Sequence, residues 1–186
     1  MYGELGAMRF PRQHHLGHFA LTGLLLPMLL RTEYSRIITT SSMARKMGKI
    51  DFDDLQGQRS YNRWTAYGQS KLANLLFGFE LQRRLHEIDS ETISVVAHPG
   101  YAKTGLQNTS VALSNVTMER FFYNNIDRFV TQTAVMGALP QLYAATSQNI
   151  FGGELVGPSA VIRGYPKVDV SAQKEYNRNV AARLWK

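Results

Sequence analysis

Apolar positions along this chain fall into two kinds of run that alternate with polar connections. From residue 15 to 31 they crowd almost without a break, Leu16 to Leu30, and predict an apolar helix that closes between Pro27 and Arg31. With Arg9 and Arg12 ahead of it, this run has the outline of a signal peptide. It carries His18, Thr22 and Pro27, however, and no small-residue cleavage site follows it. It is also shorter than the roughly 20 residues a membrane span needs. The expectation is a buried helix and no transmembrane span.

Residues 36–40 predict a buried strand, and 43–63 a polar connection with Gly48, Gly57 and the acidic group Asp51, Asp53 and Asp54. From Thr65 to about His86, Leu72, Leu75, Leu76, Phe79 and Leu85 recur at helical spacing. A second buried strand over 93–97 stops at Pro99-Gly100. Loop and short helices are expected over 101–130, where Phe121, Phe122 and Tyr123 supply apolar surface. A helix over 131–145, a short strand at 154–156 and a helical tail from about Ala172 complete the pattern. Strands alternating with helices imply an α/β fold whose parallel sheet is covered on both faces. Ligands of such sheets bind beyond the carboxyl ends of the strands. Ser42 follows one such end and His98-Pro99-Gly100 the next.

Composition adds bounds rather than a function. At 186 residues the chain can bury a real core, and one domain is the natural expectation. It has no cysteine, hence no disulfide framework and no thiolate metal site, and no metal is expected. The compartment stays open on that ground, and a cytoplasmic one is expected. A net charge of +7 raises the question of nucleic acid or acidic lipid, but the basic residues are scattered. The densest group is Arg83-Arg84 with His86, not the stripe a nucleic-acid footprint requires. The charge reads as a solvated surface, with no nucleic-acid partner.

The candidate chemistry is Ser42, Tyr67 and Lys71. On a helix Tyr67 and Lys71 lie on one face, one turn apart. An ammonium beside a phenol favours the phenolate, which is how a tyrosine serves as a general acid/base. Taken alone, a Tyr-x-x-x-Lys pair is weak, since helical pairs of this kind usually decorate a surface. For Ser42 the plain alternative is a hydroxyl that caps the turn after a strand.

Longer strings carry more. Ile38 to Ala44, Lys49-Ile50-Asp51-Phe52-Asp53-Asp54-Leu55 and Tyr67-Gly68-Gln69-Ser70-Lys71-Leu72-Ala73-Asn74 closely resemble the short-chain dehydrogenase/reductase superfamily. The long interval from Ser42 to Tyr67 with its Asp-Phe-Asp-Asp-Leu insert is similar to the retinol dehydrogenase-like branch. So are His15-Leu16-Gly17-His18-Phe19, His98-Pro99-Gly100-Tyr101-Ala102-Lys103-Thr104 and Arg163-Gly164-Tyr165-Pro166. The resemblance runs from about His14 to the end.

What it implies is an NAD(P)-dependent oxidoreductase acting on a small-molecule alcohol/carbonyl pair, lipophilic by family branch and by the aromatic loop. Tyr67 would exchange a proton with the substrate oxygen, Lys71 would favour the phenolate and bind the nicotinamide ribose, and Ser42 would hydrogen-bond the carbonyl or alkoxide. Pro99 and Gly100 would let the backbone pass the nicotinamide, with Thr104 on its carboxamide. His98 is expected to be structural. Which of NAD and NADP is used stays open. The family also implies a homodimer through the helices at 15–31 and 67–86.

Two departures qualify this. The family's glycine-rich turn and its Asn-Asn-Ala-Gly element have no counterpart; Asn124-Asn125 is followed by Ile126-Asp127. The expectation is therefore the C-terminal part of a Rossmann-type doubly wound sheet over 14–186. It would lack roughly a hundred residues, or about three βαβ units, behind an atypical segment at 1–13. His14 also stands where the family has an asparagine that holds a relay water. The strand at 36–40 would then be an edge, the helix at 15–31 would lose its cover, and the chain alone would be marginally stable or self-associate. The alternative to an enzyme is a truncated, non-enzymatic piece that pairs with itself or with a full-length relative.

Overall fold

The computed structural model describes residues 15–102 and 132–186. Its elements are helix α1 (Gly17–Leu29), strand β1 (Arg36–Thr40), a 3-10 turn (Met43–Met47), helix α2 (Arg63–Glu87) and strand β2 (Ile93–Ala97). Helix α3 (Ala134–Thr146), strands β3 (Leu155–Pro158) and β4 (Pro166–Val168), a 3-10 helix (Val170–Glu175) and helix α4 (Arg178–Leu184) follow. The strands form one sheet in the order β1-β2-β3-β4, parallel from β1 to β3 with β4 antiparallel to β3.

β2 shows why the sheet needs cover on both faces. Val96 packs with Leu75 and Phe79 of α2, whereas Val95 and Ala97 pack with Ala144 of α3 and with Val156. A strand buried on both sides reads as a nearly continuous apolar run, as Ile-Ser-Val-Val-Ala does, its one polar side chain, Ser94, donating to the Gly78 carbonyl. α2 begins where Asn62 caps it, its Oδ1 accepting from the Trp64 and Thr65 amides. It lies close on the sheet at Gly78, where a Cβ would run into Val96.

The sheet is the expected α/β arrangement, and the long helix and strands β1 and β2 fall where the pattern put them. The helix at 15–31 closes at Leu29, within the expected interval, but it does not come out buried: α1 has no buried residue. Phe19, Leu26 and Leu29 pack toward Ile37, Phe77 and Trp185, while Leu21, Leu24 and Met28 face outward. β1 is likewise an alternating strand, with Ile37 and Thr39 buried, and among the described residues it is the sheet edge. β4 is an addition, and the tail starts as a 3-10 helix two residues before the expected position. No helix of the described residues is long and apolar enough to cross a membrane.

Candidate functional site

Ser42, Tyr67 and Lys71 gather at the carboxyl end of β1. Ser41 and Ser42 follow that strand, and the Ser42 Oγ accepts from the Ala44 amide at 3.2 Å, so the hydroxyl caps the turn. α2 is fastened to the same place by three bonds. The Ser41 hydroxyl donates to the Lys71 carbonyl at 2.7 Å, and the Asn74 amide and the Lys71 ammonium both donate to the Thr40 carbonyl, at 2.9 and 3.4 Å. The Lys71 Nζ lies 5.7 Å from the centroid of the Tyr67 ring, which places the two groups on one helix face. Tyr67 and Ser42 are half-buried, and Lys71 is buried.

That burial holds the Lys71 ammonium below its ordinary lysine range. One long bond to a carbonyl leaves most of its donor capacity for something else, and a ligand hydroxyl pair suits an ammonium with three donors. Asn74 is bonded on both sides: its Oδ1 meets the His15 Nδ1 at 2.9 Å. Burial lowers the pKa of His15, and that of His18 is lowered by burial and by the Lys71 charge.

The second strand end is built from His98-Pro99-Gly100. His98 is buried against Gly157, where an added Cβ would lie 2.8 Å from the imidazole Cδ2. Its Nδ1 accepts from the Gly100 amide, and burial pushes its pKa down to about 4. It is a structural histidine, as expected. Gly100 has φ +66°, and a side chain there would meet Pro158 and the Ile162 carbonyl. The Gln132 side chain bridges this turn to the C-terminal region, donating to the Pro99 carbonyl at 2.7 Å and accepting from the Gly164 amide at 3.0 Å.

Ser42, Tyr67 and Lys71 thus share one edge, with Pro99 and Gly100 at the neighbouring strand end; Thr104, His14, residues 1–13 and the aromatic loop lie outside the described residues. Sequence reasoning missed Asn74, although its place three residues after Lys71 on the same face was a usable signal. It also missed Gln132 and the buried Arg45, for which no local pattern speaks.

Three comparisons bear on identity. No protein-family model matches the chain. Human retinol dehydrogenase 14 is 38% identical over 173 residues, which is 92% of this chain and 48% of that protein. Human retinol dehydrogenase 13 is 38% identical over 177 residues, again 92% of this chain and 50% of its own length. The chain therefore spans about half the length of the curated relatives it matches. Among solved structures, an uncharacterised protein from Mycobacterium paratuberculosis superposes with a TM-score of 0.68 at 38% identity, over 94% of this chain and 55% of the other. A yeast short-chain dehydrogenase/reductase gives 0.55 at 18% identity over 80% of this chain and 55% of its own, a likeness of fold alone. Long, near-complete alignment to retinol dehydrogenases, together with this sheet and its strand-end cluster, makes the chain a member of the retinol dehydrogenase-like branch of the short-chain dehydrogenase/reductase superfamily.

Proposed function

We propose that the chain carries the catalytic residues of an NAD(P)-dependent oxidoreductase that interconverts a small-molecule alcohol and its carbonyl. The observation that carries this reading is Lys71: a buried ammonium, held at the end of β1 beside the Tyr67 ring, with donors to spare. In this reading Tyr67 gives a proton to, or takes one from, the substrate oxygen, with the Lys71 ammonium beside its ring on the same helix face. The Ser42 hydroxyl donates to the same oxygen and stabilises charge as it develops there. Lys71 also holds the ribose of the nicotinamide half, Pro99 and Gly100 let the backbone pass its ring, and the family resemblance assigns Thr104 to the carboxamide. The bound cofactor would supply the hydride. The residues present fit the nicotinamide-ribose end of such a cofactor; the sequence offers no glycine-rich helix start for the diphosphate.

A lipophilic substrate belongs to this proposal. Relatives named retinol dehydrogenases and the Phe121-Phe122-Tyr123 segment support it. A cytoplasmic setting is a separate part of the proposal, checked by cell fractionation. The test of the activity is titration of the chain with NADH and NADPH, followed by fluorescence, and turnover of an apolar aldehyde. Micromolar binding is expected, with turnover lost in Tyr67→Phe while binding is kept, and both lost in Lys71→Met. Turnover equal in Tyr67→Phe would overturn the assignment.

A second reading has its own observation. The outward stripe of α1 and β1, the sheet edge among the described residues, are surfaces that a partner chain could cover. A non-enzymatic piece that associates with itself or with a full-length relative, through the helices at 15–31 and 67–86, would use them. Absence of cofactor binding together with a stable complex would favour this reading.

A further inference from the structure

Arg45 stands three residues after Ser42, and its side chain is wholly buried. A buried guanidinium destabilises unless its charge and donors are met, so its partners report what it holds. Nη1 donates to the Ser42 carbonyl at 3.3 Å and lies 3.7 Å from the Met43 sulfur. Nη2 donates to Asp169 Oδ2 at 3.3 Å and to Glu175 Oε1 at 3.2 Å. Nε lies 3.1 Å from Glu175 Oε2, an ionic contact without hydrogen-bond alignment. One planar fork thus joins the backbone of Ser42 to both ends of the 3-10 helix at 170–175.

The same C-terminal region also reaches the other strand end. The loop between β3 and β4 accepts the Tyr101 amide on the Ile162 carbonyl at 2.7 Å, and Gly164 is tied through Gln132 to Pro99. Ser42 and the Pro99-Gly100 turn are on different loops, and residues 158–175 register one against the other.

We propose that Arg45 is the positioning residue of Ser42: its guanidinium bolts the turn after β1 to Asp169 and Glu175, and so fixes where the Ser42 hydroxyl stands. The inference rests on the role given to Ser42 above. It explains why a charged residue is buried in a turn that an apolar side chain could fill. Lysine cannot replace it, because a single ammonium cannot reach a carbonyl and two carboxylates as a rigid fork does.

The test uses the 186-residue chain with Arg45→Lys and, as a milder variant, Glu175→Gln. Hydrogen exchange is expected to rise about tenfold at the amides of 42–48 in both variants, with 93–97 and 67–86 unchanged. In turnover, kcat is expected to fall by about ten- to a hundredfold with cofactor affinity unchanged, as a misplaced donor predicts. Adding Arg45→Lys to Ser42→Ala should then cost nothing further. Unchanged exchange at 42–48, or a loss of kcat that adds in full to that of Ser42→Ala, overturns the proposal. Failure of the catalytic reading shows elsewhere, in a Tyr67→Phe variant that turns over as the parent does, and the exchange pattern of the Arg45 variants decides the clamp regardless.

Discussion

Gly48 and Gly68 meet backbone to backbone. A Cβ on Gly48 would stand 2.6 Å from the Gly68 carbonyl carbon, and one on Gly68 would stand 3.0 Å from the Ala44 carbonyl oxygen. This contact is what lets the turn after Ser42 lie on the helix that carries Tyr67. Two glycines far apart in sequence therefore set how near the hydroxyl and the phenol can come.

The first prediction follows from that contact. Gly48 has φ −76°, a value any residue adopts, so Gly48→Ala tests space alone. The turn must back away from α2, and the expected cost is about 1–3 kcal/mol, read as a lower denaturation midpoint at unchanged m-value. Turnover should fall further than stability accounts for, since the displaced atoms include those that hold Ser42. A variant as stable and active as the parent would show that the turn is free to shift.

Lys71 sets stability against function. Burial lowers its pKa, so the unfolded chain binds that proton more tightly than the folded one does. Stability should then rise with pH up to the ordinary lysine value of about 10.4. Lys71→Met removes this slope and is expected to raise neutral-pH stability by about 1 kcal/mol, while turnover is abolished. Denaturant melts across pH 7 to 10 measure both; a destabilised Lys71→Met would mean that its bond to Thr40 outweighs the burial of its charge.

The fold was legible where burial on one or two faces leaves a period. α2, β1 and β2 are of this kind, and their ends were set by Asn62, Ser41 and Pro99. α1 was legible as a helix but not in its cover, because its apolar residues lie all round and the pattern cannot say what stands opposite each. β4 escaped because three residues beginning at Pro166 carry no period at all. In the site, Ser42, Tyr67 and Lys71 were readable from spacing and resemblance. Arg45, Gly48 and Gln132 act on partners far along the chain, so no local window could reveal them.

Acid should destabilise the chain in two separate windows. The buried imidazole of His98, near Arg45, Lys46 and Asp169, titrates at about 4 when folded and at 6.5 when free. The unfolded chain alone takes the proton between those values, so stability falls as pH drops from about 6.5 to 4. Glu80 acts lower. Its carboxylate accepts from Arg83, Arg84 and Tyr176, which hold its pKa at about 2 against 4.5 when free. Its contribution is complete above 4.5 and is lost on the way down to 2. His98→Asn should flatten the upper window and Glu80→Gln the lower one, the latter costing about 2–3 kcal/mol at pH 7. A single transition shared by both variants would refute this division.

The last prediction concerns α1. Leu21, Leu24 and Met28 recur at one helix face and are 56%, 81% and 66% exposed, while Phe19, Leu26 and Leu29 of the opposite face anchor the helix on Phe77 and Trp185. A helix fixed on one side and apolar on the other exposes a stripe that water disfavours, near β1, the sheet edge among the described residues. The chain should therefore associate at tens of micromolar in sedimentation velocity. Leu24→Glu with Met28→Lys places an i,i+4 ion pair of favourable order on that stripe. It touches no anchoring residue, so it should return the chain to a monomer without lowering its denaturation midpoint. A parent chain that is monomeric at those concentrations, with a sharp thermal transition, would remove both the association and the need for a partner over α1.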